Sequence, residues 1–306
     1  MTFQLQNGRP RAGALLAGGK VLNLQAAHRR RYKKSSPLLA SVLAMAEGGE
    51  NALDLALSLL KKPFKDSILE KPPVLLAPIP CPPQMRDFLC FEKHLVQAFE
   101  AVAKLRGTPA RIPQIWYERP IFYHPNRLSV CGTGADVPWP AYTERLDFEL
   151  EFGCYIGRSG KDIPKEKARE HIFGYTIFND FSARDEQTRE MAGQLGPGKG
   201  KDFDNANAMG PCLVTADEMR DPYRLDMAAR VNGEEWGRGS SRDMHWKFED
   251  CIAHVSRSET LHPGEFFGSG TVGNGCGLES LRFLKPGDTV ELEVEGIGIL
   301  RNRVVR

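Results

Sequence analysis

Acidic side chains alternate with apolar ones in one short segment of the sequence. Residues 146–152 read LDFELEF, so Asp147, Glu149 and Glu151 would share one face of a strand. Residues two apart on a strand lie roughly 7 Å apart, and ionised carboxylates at that spacing repel one another unless solvent or a cation screens them. By itself, the segment fits a divalent-cation site and an edge strand with a solvated acidic face equally well.

A further carboxylate stands at the end of a later apolar run. Residues 172–179 read IFGYTIFN and predict a largely buried strand, and Asp180 follows directly at its carboxyl-terminal tip. Its partner could be a metal ion or the nearby Arg184, and an ion pair or a turn cap is as good an explanation locally. Two carboxylates from one strand and one from another would leave about three open positions on an octahedral Mg²⁺-type ion, where a substrate carbonyl binds.

The elements that must position these acids are mostly strands. The sequence predicts a β-hairpin over residues 12–25, two helices over 37–62 interrupted at 47–51, and a helix over 91–105. Tight hairpin turns are predicted at two Gly-containing sites, 231–234 and 294–297. Short β-branched or aromatic runs predict five further strands, at His171–Phe178, Pro211–Thr215, Met227–Asn232, Thr289–Glu295 and Ile297–Val305.

A proline-rich passage from Pro72 to Pro83 divides the chain. It predicts a boundary near residue 72, with a small N-terminal α/β domain over 1–71 and a larger domain over 72–306. Residues 74–77, VLLA, would then form the first strand of the second domain. The predicted class is α+β and β-rich.

Composition excludes several classes of function. The 306 residues contain 41 Lys and Arg against 39 Asp and Glu, which leaves no net field for nucleic acid or an anionic membrane. No segment approaches the ~20 apolar residues of a membrane span. Seven scattered cysteines without a C-x-x-C pair argue against disulfides and zinc-thiolate sites, so we expect a cytoplasmic protein. Its expected partner is a small molecule or a second copy of the chain.

Several motifs resemble the fumarylacetoacetate hydrolase family. They are the E-x-E pair at 149–151, the NDFSARD segment at 179–185, GKDFD at 200–204, MGP at 209–211, GSGTV at 268–272, and LKPGD at 284–288 with the terminal EGIGILRN at 295–302. The resemblance is strong over residues 72–306 and weak before them. It implies a mixed β-roll surrounded by short helices, and relatives commonly form homodimers through this domain.

The resemblance also implies roles for individual residues. Glu149, Glu151 and Asp180 would bind Mg²⁺ or Ca²⁺, with Mn²⁺ as another candidate, and Asp147 would lie beside them or at the surface. A D-x6-H segment adds Asp87 as a fourth ligand and His94 as the general base. The remaining implied residues are Glu279 to orient His94, the polar groups Arg184, Gln187 and Lys201 around the reacting oxygens, and the substrate contacts Tyr123, Arg127 and Thr271.

The implied chemistry is hydrolysis of a carbon–carbon bond in a 1,3-dicarbonyl or acylpyruvate-like oxo acid, of the kind met in aromatic catabolism. Many relatives carry an H-x-x-E helix that supports decarboxylation, and the corresponding residue here is Gln97, which favours hydrolysis. The alternatives are a decarboxylase or tautomerase of a 2-oxo diacid, a hydrolase of a dioxo sugar acid, and a metal-binding protein without turnover.

Overall fold

The computed structural model of the chain describes residues 1–5, 8–107 and 111–306. Its helices are α1 (Leu24–Tyr32), α2 (Val42–Lys61), α3 (Glu92–Arg106), α4 (Gln114–Glu118), α5 (Lys165–Ala168), α6 (Arg184–Glu190), α7 (Phe248–Val255) and α8 (Gly277–Ser280). Its strands are β1 (Thr2–Gln4), β2 (Arg11–Leu15), β3 (Val21–Asn23), β4 (Val74–Leu76), β5 (Met85–Phe88), β6 (Phe122–Tyr123), β7 (Val130–Cys131), β8 (Asp136–Pro138), β9 (Leu146–Asp147), β10 (Leu150–Ile156), β11 (Ile172–Asp180), β12 (Ser182–Ala183), β13 (Asn207–Thr215), β14 (Asp226–Val231), β15 (Glu234–Ser240), β16 (Phe266–Gly268), β17 (Thr289–Val294) and β18 (Gly298–Val305). The predicted α+β class is confirmed.

The strands form three larger sheets and one short pair. A four-stranded sheet has the order β3-β2-β1-β4, a seven-stranded sheet β6-β5-β16-β10-β11-β13-β7, and a five-stranded sheet β15-β14-β17-β18-β8, while β9 pairs with β12. The seven-stranded sheet mixes parallel and antiparallel pairs, with β10 antiparallel to both β11 and β16. None of the helices in the described part of the chain has the length and apolar content that a bilayer crossing requires.

Most of the predicted local elements are confirmed. Strands β2 and β3 form the N-terminal hairpin, and α2 is interrupted at Gly49, whose φ of 53° and ψ of −137° lie outside the helical region. The predicted turn between β14 and β15 places Asn232 at φ 53° and Gly233 at φ 83°, the left-handed pair that a type I′ turn requires.

Strand β4 corrects one expectation. Residues 74–77 were expected to begin the second domain, but β4 pairs antiparallel with β1 and completes the first sheet. The Thr2 hydroxyl also donates to the Pro78 carbonyl at 2.6 Å. The free edge of β1 needs hydrogen-bond partners, and a distant segment supplies them, so the proline-rich sequence could not reveal this pairing. The domain boundary near residue 72 remains a prediction.

The acidic segment forms two strands instead of one. Strand β9 ends at residue 147 and β10 begins at residue 150. Of the two residues between them, Glu149 makes an isolated antiparallel bridge with Cys276. The Glu149 amide donates to the Asn179 side chain at 3.0 Å. All three acids of the segment are buried. The alternative of an edge strand with a solvated acidic face is therefore wrong.

Close packing at the centre of the seven-stranded sheet leaves no room for a side chain at Gly153. A Cβ atom there would lie 2.2 Å from the Phe266 ring and 2.6 Å from the Phe267 carbonyl oxygen. We expect Gly153→Ala to lower the free energy of unfolding by roughly 1–3 kcal/mol, the usual range for overpacking a core. The measurement is urea unfolding. Gly193→Ala is the control because nothing lies within 4 Å of its Cβ position, and equal stability of the two variants would contradict the packing.

Candidate active site

Three strands of the seven-stranded sheet bring carboxylates from distant parts of the sequence together. Asp87 lies on β5, Glu151 on β10 and Asp180 at the end of β11, and one oxygen from each lies within 4.8 Å of the others. Strand β16 separates β5 from β10, and Gly268 on it has no side chain to block the Asp87 carboxylate. All three acids are at least 95% buried. We call Asp87, Glu151 and Asp180 the carboxylate triad.

The triad is short of compensating charge. Glu151 Oε2 and Asp180 Oδ1 are buried without a hydrogen-bond partner in the described chain. Burial and the neighbouring carboxylates raise the pKa of Asp87 to about 8 and that of Glu151 well above its usual value. Burial likewise raises the pKa of Asp180 to about 6, although Lys201 opposes the shift. Closely spaced carboxylate oxygens, two of which have no hydrogen-bond partner in the described chain, are suited to bind a divalent cation such as Mg²⁺ or Mn²⁺.

Glu149 faces two cations. Lys201 Nζ donates to Glu149 Oε2 at 2.5 Å and to Asp180 Oδ2 at 2.6 Å, so it joins Glu149 to the triad. Arg184 Nη1 lies 2.7 Å from the other oxygen, Oε1. Burial would raise the pKa of Glu149, but Lys201 and then Arg184 outweigh it, and the net shift is downward. Glu149 is thus an ionised carboxylate at neutral pH, and its predicted metal ligation remains a prediction.

Lys201 is a fixed positive charge. Burial favours its neutral form, but Asp180 and Glu149 reverse that effect and raise its pKa above the usual value. It therefore cannot act as a base near neutral pH, whereas it can stabilise negative charge on a bound oxygen.

Tyr123 lies directly across from Asp87 in the pairing of β6 with β5. Its hydroxyl donates to Asp180 Oδ2 at 2.5 Å, the same oxygen that Lys201 binds. Burial and the charge of Asp180 raise its pKa well above the usual value, so it remains a protonated donor.

Asp147 is completely buried and anchors Arg184. It accepts from Arg184 Nε at 2.8 Å and from the backbone amides of Gly277 and Leu278 at 2.8 and 2.9 Å. The expectation that it could lie at the surface is wrong, and its place beside the proposed ligand Glu149 is confirmed through their shared arginine. Arg184 Nη2 has no partner in the described chain and remains available as a donor.

His94 and Glu279 form a buried pair. The His94 Nδ1 atom lies 2.8 Å from Glu279 Oε1, and Glu279 Oε2 accepts from the Cys276 amide at 3.2 Å. Because an ionised carboxylate only accepts, the pair places the ring proton on Nδ1 and leaves Nε2 free to accept a proton. This contact is consistent with the prediction that Glu279 orients His94.

One turn after His94, a second contact fixes the same helix. Gln97 Nε2 donates to Asn274 Oδ1 at 2.7 Å, and the Asn274 amide donates back to Gln97 Oε1 at 3.1 Å. The loop that carries Asn274 leads into α8, which carries Glu279. Helix α3 is therefore held at two successive turns, once by α8 and once by the loop that leads into it.

The structure places the other predicted residues at different distances from the triad. The Thr271 hydroxyl contacts Glu151 Oε1 at 3.4 Å, and Gln187 Oε1 accepts from Arg184 Nη1 at 3.0 Å. Arg127 is exposed, and its Nε donates to the Pro82 carbonyl at 2.6 Å, so this hydrogen bond does not involve the triad. The roles of these residues remain predictions.

Two residues of the site were missed by sequence reasoning. Asn179 positions the Glu149 backbone, and it could have been noticed because it precedes Asp180 at the end of an apolar run. Cys276 lies beside His94 and Glu279, and nothing in its local sequence indicated that position.

The sequence matches the family described as fumarylacetoacetate (FAA) hydrolase C-terminal over residues 85–305. It is 33% identical to the oxaloacetate tautomerase YisK of Bacillus subtilis, in an alignment that covers 99% of this chain and 98% of that protein. It is also 38% identical to the human mitochondrial oxaloacetate tautomerase FAHD2A, over 61% of this chain and 60% of that protein.

Solved structures show the same fold. The fumarylacetoacetate hydrolase of the psychrophile Exiguobacterium antarcticum matches with a TM-score of 0.76 and 28% identity over 99% of this chain and 98% of that chain. A fumarylpyruvate hydrolase from Pseudomonas aeruginosa, solved with Mn²⁺ and pyruvate, matches with a TM-score of 0.60 and 26% identity over 72% of this chain and 89% of that chain. The predicted fold type is confirmed.

The raised pKa values of the triad predict proton release on metal binding. At pH 7 the Asp87 carboxyl, with a pKa of about 8, still holds its proton, and a metal ion must displace it. We expect Mn²⁺ affinity to rise as the pH increases from 6 to 8, and Asp87→Asn to lower the proton release, with Glu151 supplying the remainder. Calorimetry at pH 7 in two buffers of different ionisation enthalpy measures that release. Asp226→Asn, at an exposed carboxylate, is the control, and equal binding heats in both buffers for the wild type would contradict the prediction.

Proposed function

Since the chain belongs to the fumarylacetoacetate hydrolase family, we propose that it is a divalent-metal enzyme that interconverts the keto and enol forms of a 2-oxo diacid such as oxaloacetate. The observation that carries the proposal is the buried His94–Glu279 pair beside Glu149, which Lys201 joins to the carboxylate triad. Oxaloacetate is suggested by the similarity to the oxaloacetate tautomerase YisK of Bacillus subtilis. Gln97 favoured hydrolysis, with tautomerisation as an alternative, whereas this similarity favours tautomerisation.

Asp87, Glu151 and Asp180 would hold the metal ion, with Glu149 as the further predicted ligand. When bound, such an ion would supply Lewis acidity that makes the C–H bond next to the 2-oxo group of the substrate more acidic. The partnerless oxygens of Glu151 and Asp180 support this assignment.

His94 moves the proton. In the keto-to-enol direction its free Nε2 takes a proton from the carbon next to the oxo group, and the imidazolium then gives a proton to the enolate oxygen. In the reverse direction Nε2 takes the proton of the enol hydroxyl and gives a proton to that carbon. Glu279 holds Nδ1–H and stabilises the imidazolium that exists between the two steps. A base at this position is required for either direction.

The fixed cations stabilise the oxygen that gains negative charge. The Lys201 ammonium and the neutral Tyr123 hydroxyl both donate to Asp180 Oδ2. Arg184 donates to Asp147 through Nε, and its Nη2 has no hydrogen-bond partner among the described residues. Such preorganised donors are worth a few kcal/mol each in enzymes that stabilise oxyanions. These groups are already ordered before substrate binds, so little reorganisation is needed.

Hydrolysis of an acylpyruvate is a second candidate, favoured by the same His94–Glu279 pair. His94 would take a proton from water, whose oxygen attacks the second carbonyl, and the carbon–carbon bond then breaks to give a carboxylic acid and a 2-oxo acid. The similarity to the fumarylpyruvate hydrolase supports this candidate. A homodimer, a cytoplasmic location and a part in aromatic catabolism remain predictions.

Removing the base separates proton transfer from metal binding. We expect His94→Ala to lower kcat by about 10²- to 10⁴-fold, the usual contribution of a general base, while Mn²⁺ affinity stays within about two-fold. Steady-state kinetics and calorimetry measure the two effects. His262→Ala, at an exposed histidine, is the control, and unchanged turnover in the His94 variant would remove this residue from the mechanism.

A substrate panel distinguishes the two candidate reactions. We expect metal-dependent decay of enol-oxaloacetate ultraviolet absorbance at a rate above that of spontaneous ketonisation, in the presence of Mg²⁺ or Mn²⁺ and not after chelation. The panel also contains acylpyruvates and dioxo sugar acids, for which cleavage is read as acid products. Cleavage of an acylpyruvate without oxaloacetate turnover would replace the first candidate with the second, and inactivity on the whole panel would contradict both.

A further inference from the structure

A second group of ligand-type side chains lies in the active site, and its chemistry differs from that of the triad. A ring nitrogen of His94, the Cys276 sulfur and a carboxylate oxygen of Glu279 all lie within 4.8 Å of one another. The triad offers three oxygen donors, whereas this group offers nitrogen, sulfur and oxygen. We call His94, Cys276 and Glu279 the mixed-donor group.

The mixed-donor group is close to the dimensions of a zinc site. Bonds of ~2.0–2.3 Å at tetrahedral angles place neighbouring ligand atoms ~3.4–3.6 Å apart. The distance of 2.8 Å from His94 Nδ1 to Glu279 Oε1 would open by about 0.6 Å for an ion between those two atoms. The Cys276 sulfur lies within 4.8 Å of the other two ligand atoms and would move inward by up to about 1.3 Å.

The surroundings of the group hold it in place. Glu279 already contacts His94 through one oxygen and the Cys276 amide through the other. Cys276 is also bridged to Glu149 along the backbone, and His94 and Cys276 are each only 6% exposed. A thiolate, a carboxylate and a neutral imidazole together carry two negative charges, which balance a divalent ion. Water or substrate could take the fourth position.

We propose that His94, Cys276 and Glu279 form an inhibitory site for a thiophilic divalent ion such as Zn²⁺, separate from the carboxylate triad. Binding forms Zn–N, Zn–S and Zn–O bonds, moves the ring proton of His94 from Nδ1 to Nε2, and breaks the S–H bond of Cys276, whose proton is released to solvent. The site is selective because thiolate and imidazole favour Zn²⁺, while Mg²⁺ prefers oxygen ligands and remains at the triad.

Inhibition follows from the loss of the base, and this part of the inference rests on the proposed function. A bound ion occupies a ring nitrogen of His94 and takes Glu279 away from its orienting role. His94 then cannot exchange a proton with the substrate. The Cys276 thiol has no part in the proposed reaction, so zinc inhibition of each variant is referred to the rate of that same variant without zinc.

Binding is tested without substrate, using Co²⁺ as a spectroscopic probe on the full chain saturated with Mg²⁺. A cobalt–thiolate bond absorbs in the near ultraviolet, and we expect one such site per chain. Cys276→Ser should lose this absorption, and Cys81→Ser, which alters the exposed cysteine, should keep it. Cys276→Ala repeats the test should the serine variant misfold. Absorption that persists in a folded Cys276 variant, or is absent from the wild type, would overturn the site.

Activity then tests the regulatory consequence. For the wild type and Cys81→Ser we expect Zn²⁺ to inhibit Mg²⁺-dependent turnover of the active panel substrate, and for Cys276→Ser the half-inhibiting concentration should rise at least ten-fold. Equal zinc sensitivity of all three proteins would overturn the inhibitory role. The cobalt absorption is measured without substrate, so it tests the metal site even if the proposed reaction is wrong. Failure of the metal site and failure of the proposed function are therefore distinguishable.

Discussion

Compensation of buried charge is the constraint on which the site depends. Five carboxylates and two cations lie together in the interior, namely Asp87, Asp147, Glu149, Glu151, Asp180, Lys201 and Arg184. Arg184 joins Asp147 to Glu149, and Lys201 joins Glu149 to Asp180. The ion pairs of the described chain leave out Asp87 and Glu151. Burying an unpaired carboxylate costs several kcal/mol, so these two either hold protons or share a cation.

The sheet supplies the rigidity that keeps these charges close. Strand β10 carries Glu151 on one face, and its other face presents Phe152 to Tyr175 and Phe248 in the core. Each large apolar side chain buried there contributes about 1.5–3 kcal/mol, which offsets the electrostatic cost of the acidic face. Pairing of β16 with both β5 and β10 fixes the relative position of Asp87 and Glu151. The acids therefore cannot move apart without disrupting the core.

Helices α3 and α8 place the proposed proton-transfer groups beside this rigid sheet. His94 on α3 meets Glu279 on α8, and Gln97 with Asn274 repeats the attachment one turn later. The glutamine departs from the H-x-x-E pattern of many relatives, and its two hydrogen bonds give it a positioning role. The same attachment brings Cys276 to the imidazole, which creates two sets of donors with different metal preferences in one site.

Local sequence patterns predicted much of the fold because they report short-range physics. Alternation over residues 146–152 indicated extended structure there, which forms β9 and the start of β10. The apolar run indicated β11, and Asn232 with Gly233 indicated the β14–β15 turn, since each depends on residues close in sequence. The pairing of β4 with β1 was not predictable in this way, because the two strands lie far apart in the sequence and either could have paired elsewhere.

The sequence by itself determined the family, and it predicted the acids and the histidine proposed for the site, because these are carried by motifs of fixed spacing. Only the tertiary structure decided which charges meet. In the fold all three acids of the 146–152 segment are buried, and Cys276 lies beside His94. Asp147 forms an ion pair with Arg184, and Glu149 forms one with Lys201. The physical reason is that electrostatic and ligand interactions depend on distances of a few ångströms, which the folded chain sets between residues far apart in sequence.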